Sequence, residues 1–122
     1  MLEMKKFGRI GSLPPLSAVR VGVVSCYAMR TLSVTVRCTY NSNARQPLRV
    51  NFYHLLDSTI ADSVPFDFDY VDMKQGSQVT RTFIIPTPEL GDIEIEVVNN
   101  DQSYSVQNIE VFASMAREKE GD

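Results

Sequence analysis

The chain has 122 residues, of which 43% are hydrophobic and 22% charged, and its formal net charge is −3. This length is typical of a single domain with its own core, and the composition excludes a disordered chain. No apolar run approaches the roughly 18–20 residues of a transmembrane helix, and the scattered basic residues exclude an electrostatic nucleic-acid binder.

Residues 1–16 are predicted to form an extended N-terminal arm outside the core. Gly8, Arg9 and Gly11 interrupt the first apolar stretch, so no secretory signal is expected there. Pro14 and Pro15 then favour an extended backbone. We expect a cytoplasmic protein if residue 1 is the native start, and an envelope or secreted protein if a targeting segment has been removed.

Alternation of apolar and polar residues dominates the remainder of the chain and predicts β-strands. It is clearest over residues 31–41, where every second residue from Leu32 to Tyr40 is apolar or Cys. Gly, Pro, Asn and Asp separate the strands. Seven strands are predicted, over residues 18–25, 31–41, 48–54, 65–71, 77–85, 92–98 and 104–113. The change of parity in the last one predicts a β-bulge near Gln107 or Asn108.

These strands predict an all-β, two-sheet antiparallel β-sandwich over residues 17–114, followed by a short charged tail over residues 115–122. The stretch Leu32-Ser-Val-Thr-Val-Arg-Cys-Thr-Tyr-Asn-Ser-Asn43, with Pro47-Leu48 and Phe52-Tyr53 after it, resembles the second and third strands of immunoglobulin-like and fibronectin type III-like domains. The resemblance covers residues 17–113 and implies a sandwich of that type.

Histidine and cysteine offer few catalytic options. His54 is the only histidine and ends a predicted strand, so we interpret it as a side chain at the edge of the core. Cys26 and Cys38 cannot complete a zinc site with one histidine. Two buried thiols are the favoured interpretation, and a disulfide worth about 2–3 kcal/mol in an oxidising compartment is the alternative.

Acidic residues concentrate in the middle of the chain. The cluster comprises Asp57, Asp62, Asp67, Asp69 and Asp72. Within it, Val64-Pro65-Phe66-Asp67-Phe68-Asp69 resembles the Asp-Phe-Asp stretch of calcium-binding C2 domains. Two carboxylates at i and i+2 lie on the same side of a strand and could share calcium if other oxygens join them. The competing interpretation is a solvated edge strand that Asp protects from aggregation.

Arg37, Arg49 and Tyr53 are predicted on the outer faces of adjoining strands, and Arg and Tyr are over-represented at binding hot spots. Because no catalytic motif is present, the first hypothesis is a non-catalytic module that presents a sheet face or an edge strand to a protein partner or to itself, without a cofactor. The alternative is a calcium-dependent ligand- or membrane-surface-binding sandwich that uses Asp67 and Asp69. An enzyme is the third hypothesis.

Overall fold

A computed structural model describes residues 2–25, 29–55, 62–85 and 91–117, and in these ranges the chain forms antiparallel β-strands and no helix. None of the described segments therefore supplies a helix that could cross a membrane. The strands are β1 (Leu2–Lys6), β2 (Ile10–Leu13), β3 (Ser17–Ser25), β4 (Met29–Thr39), β5 (Leu48–Leu55), β6 (Asp67–Val71), β7 (Gln78–Ile85), β8 (Asp92–Asn99) and β9 (Val106–Arg117).

The strands form two sheets that pack face to face. Sheet A has the order β1-β9-β4-β7, and β2 also pairs with β9, so that β1 and β2 share one edge. Sheet B has the order β3-β8-β5-β6. The predicted all-β antiparallel two-sheet sandwich is confirmed, and each of the seven predicted strands is present to within a few residues.

The strand order corrects the resemblance to immunoglobulin-like domains. Those sandwiches keep several hairpins within one sheet, in sheets of four and three strands. Here the chain crosses to the other sheet at every connection from β2 to β9 except the one between β5 and β6. Sheets of five and four strands connected in this way, with β1 and β2 sharing one edge position, are jelly-roll-like. Alternation along a strand does not depend on which sheet the next strand joins, and for that reason the sequence pattern did not separate the two arrangements.

The core lies between the inner faces of the two sheets. Side chains of successive strand residues point to opposite faces, so each central strand contributes every second residue. The fully buried set that carries most of this core is Leu32, Val34, Val36, Cys38, Leu48, Val50, Phe52, Ile93, Ile95, Val97, Ile109 and Ala113.

Tyr40 joins the end of β4 to sheet B. Its hydroxyl accepts a hydrogen bond from the Leu48 N–H, at 2.9 Å, and donates one to the Val71 carbonyl. Leu48 and Val71 are register partners at the end of the β5–β6 ladder. Burial raises the pKa of the Tyr40 hydroxyl, which therefore stays protonated and able to donate.

The predicted bulge in the last strand is confirmed. Asn108 has a φ of 51°, and the register between β4 and β9 shifts between Arg37 and Thr39. The extra residue lets Val106 and Ile109 both face the core, where their side chains are 2% and 0% exposed.

The N-terminal segment differs from the predicted arm. β1 and β2 pair with successive parts of β9, and Phe7 and Leu13 are buried. Each strand has only four or five residues, too short for the alternation to be recognised in the sequence. At the other end, β9 continues to Arg117, so residues 115–117 of the predicted tail belong to a strand. Residues 118–122 lie outside the described residues.

Candidate binding surface on the outer face of sheet B

A row of polar and aromatic side chains crosses the outer face of sheet B. Register pairs Arg20 with Glu96, Glu96 with Asn51, and Asn51 with Phe68. These four residues therefore lie side by side on all four strands, in the order β3, β8, β5 and β6. Alternation fixes the outward direction of each side chain, and strand pairing brings them together.

Glu96 is the centre of this row. Its Oε2 lies 3.1 Å from Arg20 Nε, and its Oε1 accepts hydrogen bonds from Asn51 Nδ2 at 3.0 Å and from the Tyr53 hydroxyl at 2.8 Å. Arg20 also contacts Glu94 at 2.7 Å. A carboxylate that accepts several bonds at once holds all its donors in fixed positions, because charge-assisted hydrogen bonds are stronger than neutral ones.

Two guanidinium groups stack on aromatic rings within the same surface. The Arg20 Cζ lies 3.9 Å from the centre of the Tyr53 ring, and the Arg49 Cζ lies 3.9 Å from the centre of the Phe68 ring. Arg49 Nε also donates to Asn51 Oδ1 at 2.8 Å. These contacts are cation–π interactions. Together with the bonds to Glu96 they form one continuous cluster, which we call the Glu96 network: Arg20, Arg49, Asn51, Tyr53, Phe68 and Glu96.

Burial within the Glu96 network is uneven. Asn51 and Tyr53 are only 6% and 7% exposed although they face outward, because the arginine side chains cover them, whereas Phe68 is 47% exposed. Burial, and then the hydrogen bond to Glu96, raise the pKa of the Tyr53 hydroxyl. The surface thus presents an exposed aromatic ring and two arginines above an ordered polar layer.

Arg37 does not join Arg49 and Tyr53. It lies on β4, on the outer face of sheet A, where its Nη2 is 3.0 Å from Glu110 Oε1. Consecutive strands β4 and β5 belong to different sheets, so their outer faces point in opposite directions. The sequence prediction of one surface with all three residues is therefore wrong for Arg37, while Arg49 and Tyr53 do lie together.

Asp67 and Asp69 lie on the same side of β6, as predicted, but both already make other contacts. Asp69 Oδ2 is 3.0 Å from Arg81 Nη2, and its Oδ1 accepts from the Tyr70 N–H at 2.8 Å. Asp67 Oδ1 accepts from the Phe68 N–H. Among the described residues no group of three or more His, Cys, Asp or Glu could hold a metal ion. Asp57, predicted as part of this cluster, lies outside the described residues.

His54 lies at the end of β5. Its ring stacks on Phe66 with centres 4.0 Å apart, and its Nδ1 is 3.6 Å from Asp62 Oδ2. The same Asp62 oxygen accepts from the His54 backbone N–H at 3.0 Å. These contacts hold Asp62 against the end of β5.

Cys38 carries a free thiol and is completely buried. Burial raises its pKa to about 11, so the reactive thiolate is scarce at neutral pH. Cys26 lies outside the described residues. Cys38 therefore packs as a small apolar side chain in the core, as the sequence predicted.

Sequence reasoning missed Arg20, Asn51, Phe68 and Glu96 as members of the surface. Alternation did place Glu96 and Asn51 facing outward. The missing information was that β8 lies between β3 and β5, two strands that are distant from it along the chain.

Searches of protein-family models and of curated proteins find no match to this chain. Solved structures share the fold. The VP2 subviral particle of infectious bursal disease virus is 14% identical, with a TM-score of 0.56 over 95% of this chain and 33% of that chain. The CBM36-1 domain of a multidomain xylanase from the hindgut metagenome of Trinervitermes trinervoides is 15% identical, with a TM-score of 0.53 over 98% of this chain and 100% of that chain.

A third neighbour is dimeric latent PorU from Porphyromonas gingivalis, 8% identical with a TM-score of 0.58 over 96% of this chain and 13% of that chain. The chain thus spans about a third of the VP2 chain, a small part of PorU, and the full length of the xylanase domain. Identities this low show a common fold and nothing finer.

Proposed function

We propose that this chain is a non-catalytic binding or assembly module whose Glu96 network contacts a partner protein or a second copy. The observation that supports it is the arrangement on sheet B, where the Glu96 carboxylate holds Arg20, Asn51 and Tyr53. Asn51 and the Phe68 ring in turn hold Arg49, so that the cluster spans all four strands. Side chains ordered in advance lose little conformational entropy on binding, which favours affinity.

The chemistry of the Glu96 network favours a protein surface as the ligand. Arginine and aromatic side chains are enriched at protein interfaces, and hot spots centre on them. The charges are balanced, since Arg20 and Arg49 are matched by Glu94 and Glu96. A balanced surface gives no general attraction for nucleic acid or for an anionic membrane.

Structural neighbours support a role in binding or assembly. One is part of VP2 in a subviral particle, an assembly of many copies, and another is the CBM36-1 domain of a multidomain xylanase, a carbohydrate-binding domain. Absence of catalysis is part of the proposal. It is supported by the single ion-pair partner of His54 and the buried thiol of Cys38 in the described part of the chain.

Site-specific photo-crosslinking in the cells that make the protein tests the proposal. A p-benzoylphenylalanine introduced at Arg49, on a central strand of sheet B, should give a discrete crosslinked protein. The matched control places the same group at Thr35, on a central strand of sheet A with similar exposure. Equal crosslinking at both positions, or none at Arg49, would contradict the proposal, and so would turnover of a substrate.

A further inference from the structure

We propose that the free edge of β7, with the cleft between β7 and β6, binds an extended segment of a partner protein as an added strand, and that a Lys or Arg of that segment enters the cleft. This extends the proposed function to a second surface. The two surfaces meet at Phe68, which belongs to the Glu96 network and also lines the cleft, but the edge that pairs with the added strand is β7 in sheet A.

The four sheet edges are not equally protected. β1 and β2 form an interrupted edge, and β3 carries a bulge between Arg20 and Gly22. β6 has five residues, two of them Asp. β7 has eight residues in unbroken register with β4, and no described strand pairs with its other side. Bulges, short length and charge discourage strand addition, so β7 is the edge that accepts it most readily.

The cleft beside β7 fits a single side chain. It has a volume of about 140 Å³, and Phe52, Phe83 and Ile85 contribute to its lining. Small-molecule pockets are typically about 300–1,000 Å³, so the cleft is too small for such a ligand. A strand that pairs with β7 directs every second side chain toward the interior of the sandwich, which is where the cleft opens.

The charge around the cleft favours a basic side chain. Asp67 and Asp69 line the cleft, and Asp72 lies close to it. Within the described part of the chain, the one guanidinium that pairs with these carboxylates is that of Arg81, which contacts Asp69 and Asp72. Arg81 shows how a cation is held there, since its Cζ lies 5.0 Å from the Phe83 ring centre while Nη2 pairs with Asp69. Asp67 lines the cleft and has no cationic partner among the described residues. A Lys or Arg of the added strand could therefore place its aliphatic part in the cleft and its charged group beside Asp67.

The outer face of β7 is also suited to an added strand. Thr80 and Thr82 are exposed and uncharged, and Ile84 is 68% exposed. Cross-strand pairs of β-branched residues stabilise a sheet, so an incoming strand with Thr or Val at its outward positions would cover Ile84. Main-chain hydrogen bonds would supply affinity, and the cleft would supply selectivity for the basic residue.

The test uses the full chain, labelled with nitrogen-15, and a capped peptide of sequence Thr-Val-Thr-Lys-Thr-Val-Thr. We expect the peptide to change the amide chemical shifts of the protein mainly at residues 78–85. The dissociation constant from this titration should be below about 1 mM. A peptide with glutamate in place of the lysine should bind at least ten times more weakly.

Asp67→Asn should weaken the binding of the lysine peptide about tenfold, which corresponds to the loss of one charge-assisted contact. Glu110→Gln removes the same charge from the outer face of sheet A and should leave binding unchanged.

Two N-methylated peptides test whether binding is strand addition. Methyl groups on alternate amides block one hydrogen-bonding edge of the peptide, and the two peptides carry them on opposite edges. One should bind like the parent and the other at least ten times more weakly.

Equal binding by both methylated peptides, shifts outside β7, or no shift at millimolar peptide would overturn the proposal. Concentration-dependent shifts of β7 in the peptide-free protein would also overturn it, in favour of pairing with a second copy. A negative peptide result combined with crosslinking at Arg49 would leave the proposed function intact.

Discussion

Asp101 is a buried carboxylate that holds two loops at one end of the sandwich. Its Oδ2 accepts from the backbone N–H groups of Arg45 and Gln46, at 2.7 and 3.2 Å. Its Oδ1 accepts from those of Ser103 and Tyr104, at 2.9 and 3.0 Å. Burial acts to raise the pKa of Asp101, but the four N–H donors outweigh it and lower the pKa below its usual range.

Asp101→Asn should therefore destabilise the protein by about 2–3 kcal/mol near neutral pH, the scale of hydrogen bonds to a charged group. A carboxyl with a lowered folded-state pKa stabilises fully above its unfolded pKa of about 3.9, and the stabilisation is lost as the pH falls through the folded value. In urea titrations, the difference in unfolding free energy between the wild type and Asp101→Asn should therefore become smaller as the pH falls below about 3.9. Asp72→Asn, whose side chain is 83% exposed, is the control and should cost less than about 1 kcal/mol.

Gly22 is required by the position of Phe7. A Cβ at residue 22 would lie 2.5 Å from two carbons of the Phe7 ring, so the buried ring rests directly on the glycine. Gly22→Ala should cost about 1–3 kcal/mol, the range for overpacking a core. Chemical denaturation should show this loss, and Phe7→Leu in the same chain should make the glycine substitution cheaper.

Gly11→Ala is the matched control, because a Cβ there has no atom within 4 Å. It should change the unfolding free energy by less than about 0.5 kcal/mol. Equal costs at the two glycines would contradict the assigned position of Phe7.

At the scale of elements, the N-terminal strands are part of the sandwich. β1 and β2 cover one edge of β9; Leu13 of β2 is buried, and so is Phe7, which directly follows β1. Asn99 reinforces the connection, since its Nδ2 donates to the Leu13 carbonyl at 3.1 Å and to the Pro14 carbonyl at 3.2 Å. Removing this segment would leave β9 unpaired on that side.

Deletion of residues 1–13 should therefore destabilise the domain strongly. Burial of one large apolar side chain contributes about 1.5–3 kcal/mol, so Phe7 and Leu13 together contribute about 3–6 kcal/mol, which is a large part of the total stability of a small domain, about 5–15 kcal/mol. Thermal unfolding followed by circular dichroism should show a much lower melting temperature or no cooperative transition. An unchanged melting temperature would restore the interpretation of this segment as a free arm.

For the whole molecule, the effect of calcium on thermal stability distinguishes the two binding hypotheses drawn from the sequence, a protein-interaction module and a calcium-dependent sandwich. A ligand that binds only the folded state raises the melting temperature, by an amount that corresponds to about 2.7 kcal/mol at a hundred times its dissociation constant. Because Arg81 occupies Asp69, we expect millimolar calcium to shift the melting temperature by less than about 1 °C. A larger rise, absent in Asp67→Asn and with magnesium, would instead support the calcium-dependent alternative.

The sequence by itself determined the strands and the faces of most of them. Alternation from Leu32 to Tyr40 identified a buried face, and the parity change near Asn108 identified a bulge, because both are properties of neighbouring residues along one strand. The two short strands β1 and β2 were not predicted, because strands of five and four residues contain too few alternations to be recognised in the sequence.

Only the tertiary structure decided which strands are neighbours. Arg49 and Tyr53 share a face with Arg20 and Glu96, whereas Arg37 lies on the opposite side of the sandwich. Sheet order depends on which buried faces pack together and on where each connection crosses, and strand-by-strand periodicity is the same for several orders. The Glu96 network and the open edge of β7 both arise from that order, so they become visible only in the folded chain.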